Sequence, residues 1–178
     1  MTKMIRFGAA GVALFAAMGM STAAFAQDDT ATATATAEVL DALTLDNTNG
    51  LDFGTMVVDG GGTVTLGADG VLDCSAGDIV CSGTSAVAAF DVTGTANKAV
   101  TINLPTDSID LNHPDFSGSS VGEHTIELDA FTSSASGNEI TLDGSGEGDF
   151  TVGGTITFDG SEVAGIYSGS FDVSVEYS

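Results

Sequence analysis

The chain has 178 residues and sets 25 acidic side chains against three Lys and Arg, a formal charge of −22. Such a field repels phosphate backbones and anionic lipid surfaces, which excludes nucleic acid and membrane surfaces as partners. The composition is 43% hydrophobic, which is too apolar for a disordered acidic tail and matches one domain with a single core.

The first element is a secretory signal. Lys3 and Arg6 give a positive start, Phe7 to Met20 an apolar stretch, and Ala24-Phe25-Ala26 the small-x-small pattern that a signal peptidase reads. The stretch is 14 residues long, short of the ~20 that cross a bilayer. Cleavage between Ala26 and Gln27 is predicted, with export to the periplasm, the cell surface or the extracellular space and no membrane insertion afterwards. No Cys follows that would carry a lipid. Two of the three basic residues leave with the signal, so the remaining 152 residues carry a formal charge of −24 with Lys98 as the one fixed cation. The bland reading of that charge is solubility.

Residues 27–38 form an N-terminal extension ahead of a single domain over 39–178. Thr30 to Ala37 is a strict Thr-Ala alternation. Taken alone it reads as a flexible tail or a plain first strand. Taken functionally it is a candidate donor strand, with Ala31, Ala33, Ala35 and Ala37 on one face, able to pair with another subunit's open sheet edge.

Beyond residue 39 the apolar residues recur with period two. Ala88, Phe90 and Val92 alternate with polar neighbours, as do Val100, Ile102 and Leu104, then Ile126, Leu128 and Ala130, then Ile156 and Phe158. The last such row is Phe171, Val173, Val175 and Tyr177, a candidate C-terminal edge strand. Alternation of this kind marks half-buried antiparallel strands. Asn49-Gly50 and the Asp-Gly pairs at 59–60, 69–70, 143–144 and 159–160 supply turn residues at strand-sized spacing. The sum is an all-β protein of roughly eight to ten strands. It is an antiparallel β-sandwich of immunoglobulin-like (pilin-like) or jelly-roll layout, its strand order left open.

Cys74 and Cys81 are the only cysteines. In an exported chain such a close pair is a disulfide that pins a hairpin or loop. A zinc site would need further ligands nearby, and a redox motif two intervening residues rather than six.

The remaining motifs carry no chemistry. Gly118-Ser119-Ser120-Val121-Gly122 matches a nucleophile elbow, but strand-like sequence follows where a helix is required, and His124 sits too close for the usual triad order. Asp143 to Asp149 looks like a calcium loop, yet Gly154 stands where the bidentate Glu of an EF-hand belongs, and no helices flank it. Weak calcium binding by so acidic a surface stays open. His113 and His124 lack a spaced partner set for zinc and read as exposed polar residues. No enzyme, cofactor or metal is predicted.

Two segments resemble known sequences. Ala35 to Thr48 leading into Leu51-Asp52-Phe53-Gly54-Thr55, and Ala164 to Tyr177 at the end, look like domain-of-unknown-function family 4402, small exported bacterial β proteins. Phe90-Asp91-Val92-Thr93-Gly94 followed by Val100-Thr101-Ile102 extends the likeness across the domain. The ends also resemble subunits of chaperone–usher fimbriae and spore-coat-U-like secreted proteins, in which a Gly-x-Tyr turn (here Gly165 and Tyr167) opens a last alternating strand ending on Tyr. The resemblance implies an incomplete sandwich that polymerises by strand addition. A periplasmic chaperone would fill its groove first, and an outer-membrane usher would then pass it to copies of itself or related subunits. The alanine face is small for a donor strand, which leaves two readings: a shallow groove, or pairing in cis that completes a monomeric secreted or surface-associated binding protein.

Overall fold

Alternating side chains with one buried row need a second layer to cover that row, and the computed structural model shows how this chain supplies it. The structure describes residues 29–116 and 122–178. Residues 29–37 belong to an N-terminal unit and are exposed, with no strand among them. Glu38–Ser178 forms the second, compact unit.

This unit holds ten strands among the described residues: β1 (Thr44–Asn49), β2 (Thr55–Leu66), β3 (Leu72–Ser82), β4 (Ala88–Thr93), β5 (Ala99–Asn103), β6 (Ile109–Asn112), β7 (Thr125–Ser133), β8 (Glu139–Thr141), β9 (Glu147–Phe158) and β10 (Ser174–Tyr177). All pairings are antiparallel, and the protein is an antiparallel all-β sandwich. A seven-stranded sheet runs β1-β4-β9-β2-β3, with β7 on β9 and β6 on β7. The second sheet is β10-β5-β8.

β9 is the spine of the larger sheet. Val152 pairs with both Ala88 and Ser133, and Thr155 to Thr157 pair with both β2 and β7. A strand has only two edges, so β4 and β2 share one edge in succession while β7 takes the other. Two cores result. In one, Phe90, Val92, Phe150 and Val152 meet Val100 and Ile102 of the smaller sheet. Phe90 and Phe150 face each other across β4 and β9 with ring centroids 5.2 Å apart. In the other, Val64, Leu66, Ile126, Leu128, Ile156 and Phe158 pack with Phe53 and Ile79.

That second core is covered by an unexpected device. Cys74 and Cys81 both lie in β3 and are disulfide-bonded, their Cα atoms 6.2 Å apart. Seven steps of extended chain would separate them by ~23 Å. The β2–β3 ribbon therefore folds back on itself, and the disulfide ties its two arms. The bend falls where the register slips between Val58 and Gly62. There a Cβ at Gly62 would lie 2.4 Å from the Ala76 carbonyl oxygen, and Gly77 has φ +115°, a region costly for residues with a Cβ. Asp59-Gly60, which reads as a hairpin turn, is thus part of a bend inside one strand pair. Asp69-Gly70 does close the hairpin, with Gly67 N donating to Val71 O at 2.9 Å.

The alternation of β7 also breaks. Ala130 has φ +47° at a register shift between Asp129 and Thr132. This bulge turns Ala130 to solvent and brings Phe131 inward against Phe171, so the inward row is Ile126, Leu128, Phe131. In the Asp143 to Asp149 segment, the Asp143 carboxylate accepts the backbone N–H groups of Glu147 at 3.0 Å and Ser145 at 2.7 Å. These bonds hold its carboxyl below the usual carboxylate range, and they explain the segment as a turn leading into β9.

Candidate functional site: a one-strand gap in the second layer

The segment that follows β9 returns along the stretch 99–112. Ser168 exchanges backbone bonds with Asn112 (2.8 and 3.1 Å), and Ser174 to Tyr177 pair with Asn103 to Val100. Both contacts lie on the same edge: Ser178 N donates to Ala99 O, so even-numbered residues face that partner and the odd-numbered backbone groups of β10 face away. Leu104 to Ser108 loop out between the two contacts. The C-terminal segment therefore has one occupied edge, and β10 ends its sheet.

The Leu51–Val58 segment, which lines a groove, is built in the same way. Asp52 exchanges bonds with Ala86 at 2.7 Å each, and Thr55 to Val58 pair with Ser82 to Ile79. β9 meets β2 only from Gly62 onward. The other edge of the Thr55–Val58 arm carries no strand among the described residues.

The groove, of about 630 Å³, is bounded by Leu51 to Val58 on one side and Glu162 to Tyr167 on the other. Leu111, Ile126, Ile156 and Phe158 form its floor. Its titratable lining is Asp52, Glu162 and Tyr167. Asp52 Oδ1 accepts the N–H of Gly54 at 2.8 Å, and Glu162 accepts those of Asp159 and Gly160 at 2.7 and 3.0 Å. Both carboxylates are committed to their own turns. Tyr167 donates to Val163 O at 2.8 Å with Glu123 O also within 3.0 Å. Burial, then the nearby Glu162 charge, raise its pKa. The groove thus presents apolar side chains and, along Thr55–Val58, a line of backbone without a partner strand among the described residues, and what it can do is accept an extended chain.

The start of the domain is clasped to its last strand. The Tyr177 hydroxyl donates to Asp41 O at 2.8 Å and accepts from Thr95 N at 2.7 Å. Gly94 leaves room for it, since a Cβ there would lie 2.5 Å from that hydroxyl. Beside it Lys98 Nζ sits 2.5 Å from Glu38 Oε1. The single cation of the domain therefore holds the residue from which the extension departs. Removing the hydroxyl in Tyr177→Phe should strand the Thr95 N–H and cost about 1–2 kcal/mol, measured by urea unfolding with an unchanged m-value.

Of the residues singled out in the sequence, Cys74 and Cys81 form their disulfide. Val175 and Tyr177 lie on β10, while Phe171 and Val173 precede it in extended chain; all four are half-buried against the core around Phe90. Ala31, Ala33, Ala35 and Ala37 are exposed. Ala26, Gln27 and Ser120 lie outside the described residues. The histidines differ from expectation. They are half-buried rather than exposed: His113 has an 11% exposed side chain, and its ring packs 5.4 Å from Tyr167 and 5.5 Å from His124, bracing the Glu162–Tyr167 wall. The floor residues Ile126, Ile156 and Phe158 were legible as inward-facing, but the groove between Leu51–Val58 and Glu162–Tyr167 escaped prediction, because the approach of two segments more than a hundred residues apart leaves no local pattern. The one signal was Leu51-Asp52-Phe53-Gly54-Thr55, a run that fits neither alternation nor a plain turn.

A family model described as Domain of unknown function (DUF4402) matches residues 43–177. No curated protein and no solved structure matches the chain. The matched range contains both walls of the groove and all ten strands, and it begins after the Thr-Ala extension. The chain belongs to the DUF4402 family.

Proposed function

We propose that the protein is an exported structural subunit of a fimbrial or similar surface assembly, polymerising when the N-terminal extension of one copy occupies the groove of the next. The observation that carries this reading is the groove itself. Leu51 to Val58 bond to Ala86 and β3 on their far side, and across the groove of about 630 Å³ they face Glu162 to Tyr167 over apolar side chains. Open edges over apolar side chains promote association unless they are covered, and an added strand satisfies both kinds of group at once. On the same reading a periplasmic chaperone guards the groove before assembly, and an outer-membrane usher delivers the subunit.

Deleting residues 27–37 from the secreted protein should abolish heat-labile multimers on a gel and leave a folded monomer by circular dichroism. Multimers that persist unchanged overturn the proposal. One observation favours a second reading, a monomeric binding protein with a complete sandwich: the groove floor is already buried, with Ile156 only 3% exposed. That reading requires a sharp, concentration-independent monomer in sedimentation of the intact secreted chain.

A further inference from the structure

Resting on that assembly reading, we infer that the groove is selective for a strand of small, uncharged side chains, and that its fitting partner is the Ala31–Ala37 segment of a second copy, held chiefly through its backbone. Three observations lead there. Most of the floor is filled before any strand arrives: Ile126, Ile156 and Phe158 are each 6% exposed or less in the lone chain, and Leu111 is half-buried. A bulky anchor would have to displace packed side chains, and overpacking a filled core is unfavourable. A methyl group needs no such displacement.

Second, the Thr55–Val58 wall offers open backbone, since β3 takes one of its edges and β9 reaches β2 only from Gly62 onward. A strand laid along it finds main-chain hydrogen-bonding groups there. Affinity can then come from main-chain pairing, with little demand on side-chain burial. Third, the segment suits the site in length and charge. Seven extended residues span ~23 Å, against eight residues in the Leu51–Val58 wall. Thr30 to Ala37 carries no charge in a chain with 25 acids, and the two carboxylates lining the groove would repel an acidic strand. Threonine on the alternate positions favours extended chain. At the rim, Ile166 is 80% exposed and lines the groove.

The test uses the full secreted chain with substitutions confined to the extension. Ala33→Leu with Ala35→Leu should lower multimer yield tenfold or more at equal concentration. Ala33→Ser should assemble as the parent does, and Thr32→Pro with Thr34→Pro should assemble not at all, because proline removes the N–H that the wall requires. Leucine variants that assemble as well as or better than the parent overturn the size selection while strand addition stands. If the proline variant also assembles normally, the assembly reading itself falls. A chain that stays monomeric at every concentration, and whose melting temperature drops with the prolines, places the segment in its own groove and overturns the second-copy assignment.

Discussion

Gly153→Ala is expected to destabilise the protein by about 3 kcal/mol, the upper part of the range for forcing atoms into a filled core. At Gly153 the spine strand changes partner: Val152 pairs with Ala88 of β4, and Gly154 pairs with Leu66 of β2. For two strands to share one edge, the end of β2 must turn in tightly against β9. A Cβ on Gly153 would lie 2.1 Å from the Leu66 carbonyl oxygen and 2.7 Å from Ala68 N. These are backbone atoms, so no rotamer change relieves the clash. Thr151 Oγ1 holds the same turn by donating to Ala68 O at 2.7 Å, which keeps β2 from retreating. For a chain of this size the melting temperature should fall by about 6–12 °C. Gly144→Ala is the control: nothing lies within 4 Å of a Cβ there, and its melting temperature should move little. Equal melting of the two variants would mean that the partner change is looser than the structure has it.

Much of this architecture can be read locally. Val100 to Leu104 and Ala88 to Val92 alternate cleanly because each strand has one dry face, and period two is the direct record of that. The disulfide follows from a close pair of cysteines, the two that the chain has. Gly153 illustrates what cannot be read so: it sits inside a regular β9, and its need for a missing side chain arises from a strand almost ninety positions earlier. Asp59-Gly60 misleads for a related reason. A dipeptide that permits a tight turn also permits a bend, and only the disulfide partner, reached by folding the ribbon over, decides between them. Ala130 reads as an inward residue because alternation assumes an unbroken ladder, and a single bulge reverses its face. The groove was legible only in outline. The odd-numbered row at Phe171 to Tyr177 identifies a last strand, but that Leu51 to Val58 would come to face Glu162 to Tyr167 has no local signature.

The disulfide bears on that wall, and its removal is the second large effect expected. Replacing Cys74 and Cys81 with serine should cost about 2.5 kcal/mol on chain-entropy grounds for so short a loop, a fall of about 5–10 °C in melting temperature. The structure says where the loss appears first. The bond joins the arm of β3 paired with Thr63 to Leu66 to the arm paired with Thr55 to Val58, and the latter is the groove wall. Without it, the folded-over arm is held by Met56, Val58 and Ile79 against the core around Phe158, and by a ribbon with glycines at its bend. Opening of the arm exposes less surface than global unfolding, so it becomes the cheaper route to exchange. Global destabilisation accelerates amide exchange at Phe90 and Val100 in the other core by about 70-fold, the factor equivalent to 2.5 kcal/mol, and Val57 and Val80 should accelerate by more than that. Uniform acceleration across both cores would instead place the whole contribution of the disulfide in the unfolded chain. On the proposed assembly reading, releasing this wall removes the open edge that a strand would pair with, and multimer formation should fail in the serine variant at temperatures where the rest of the sandwich remains folded.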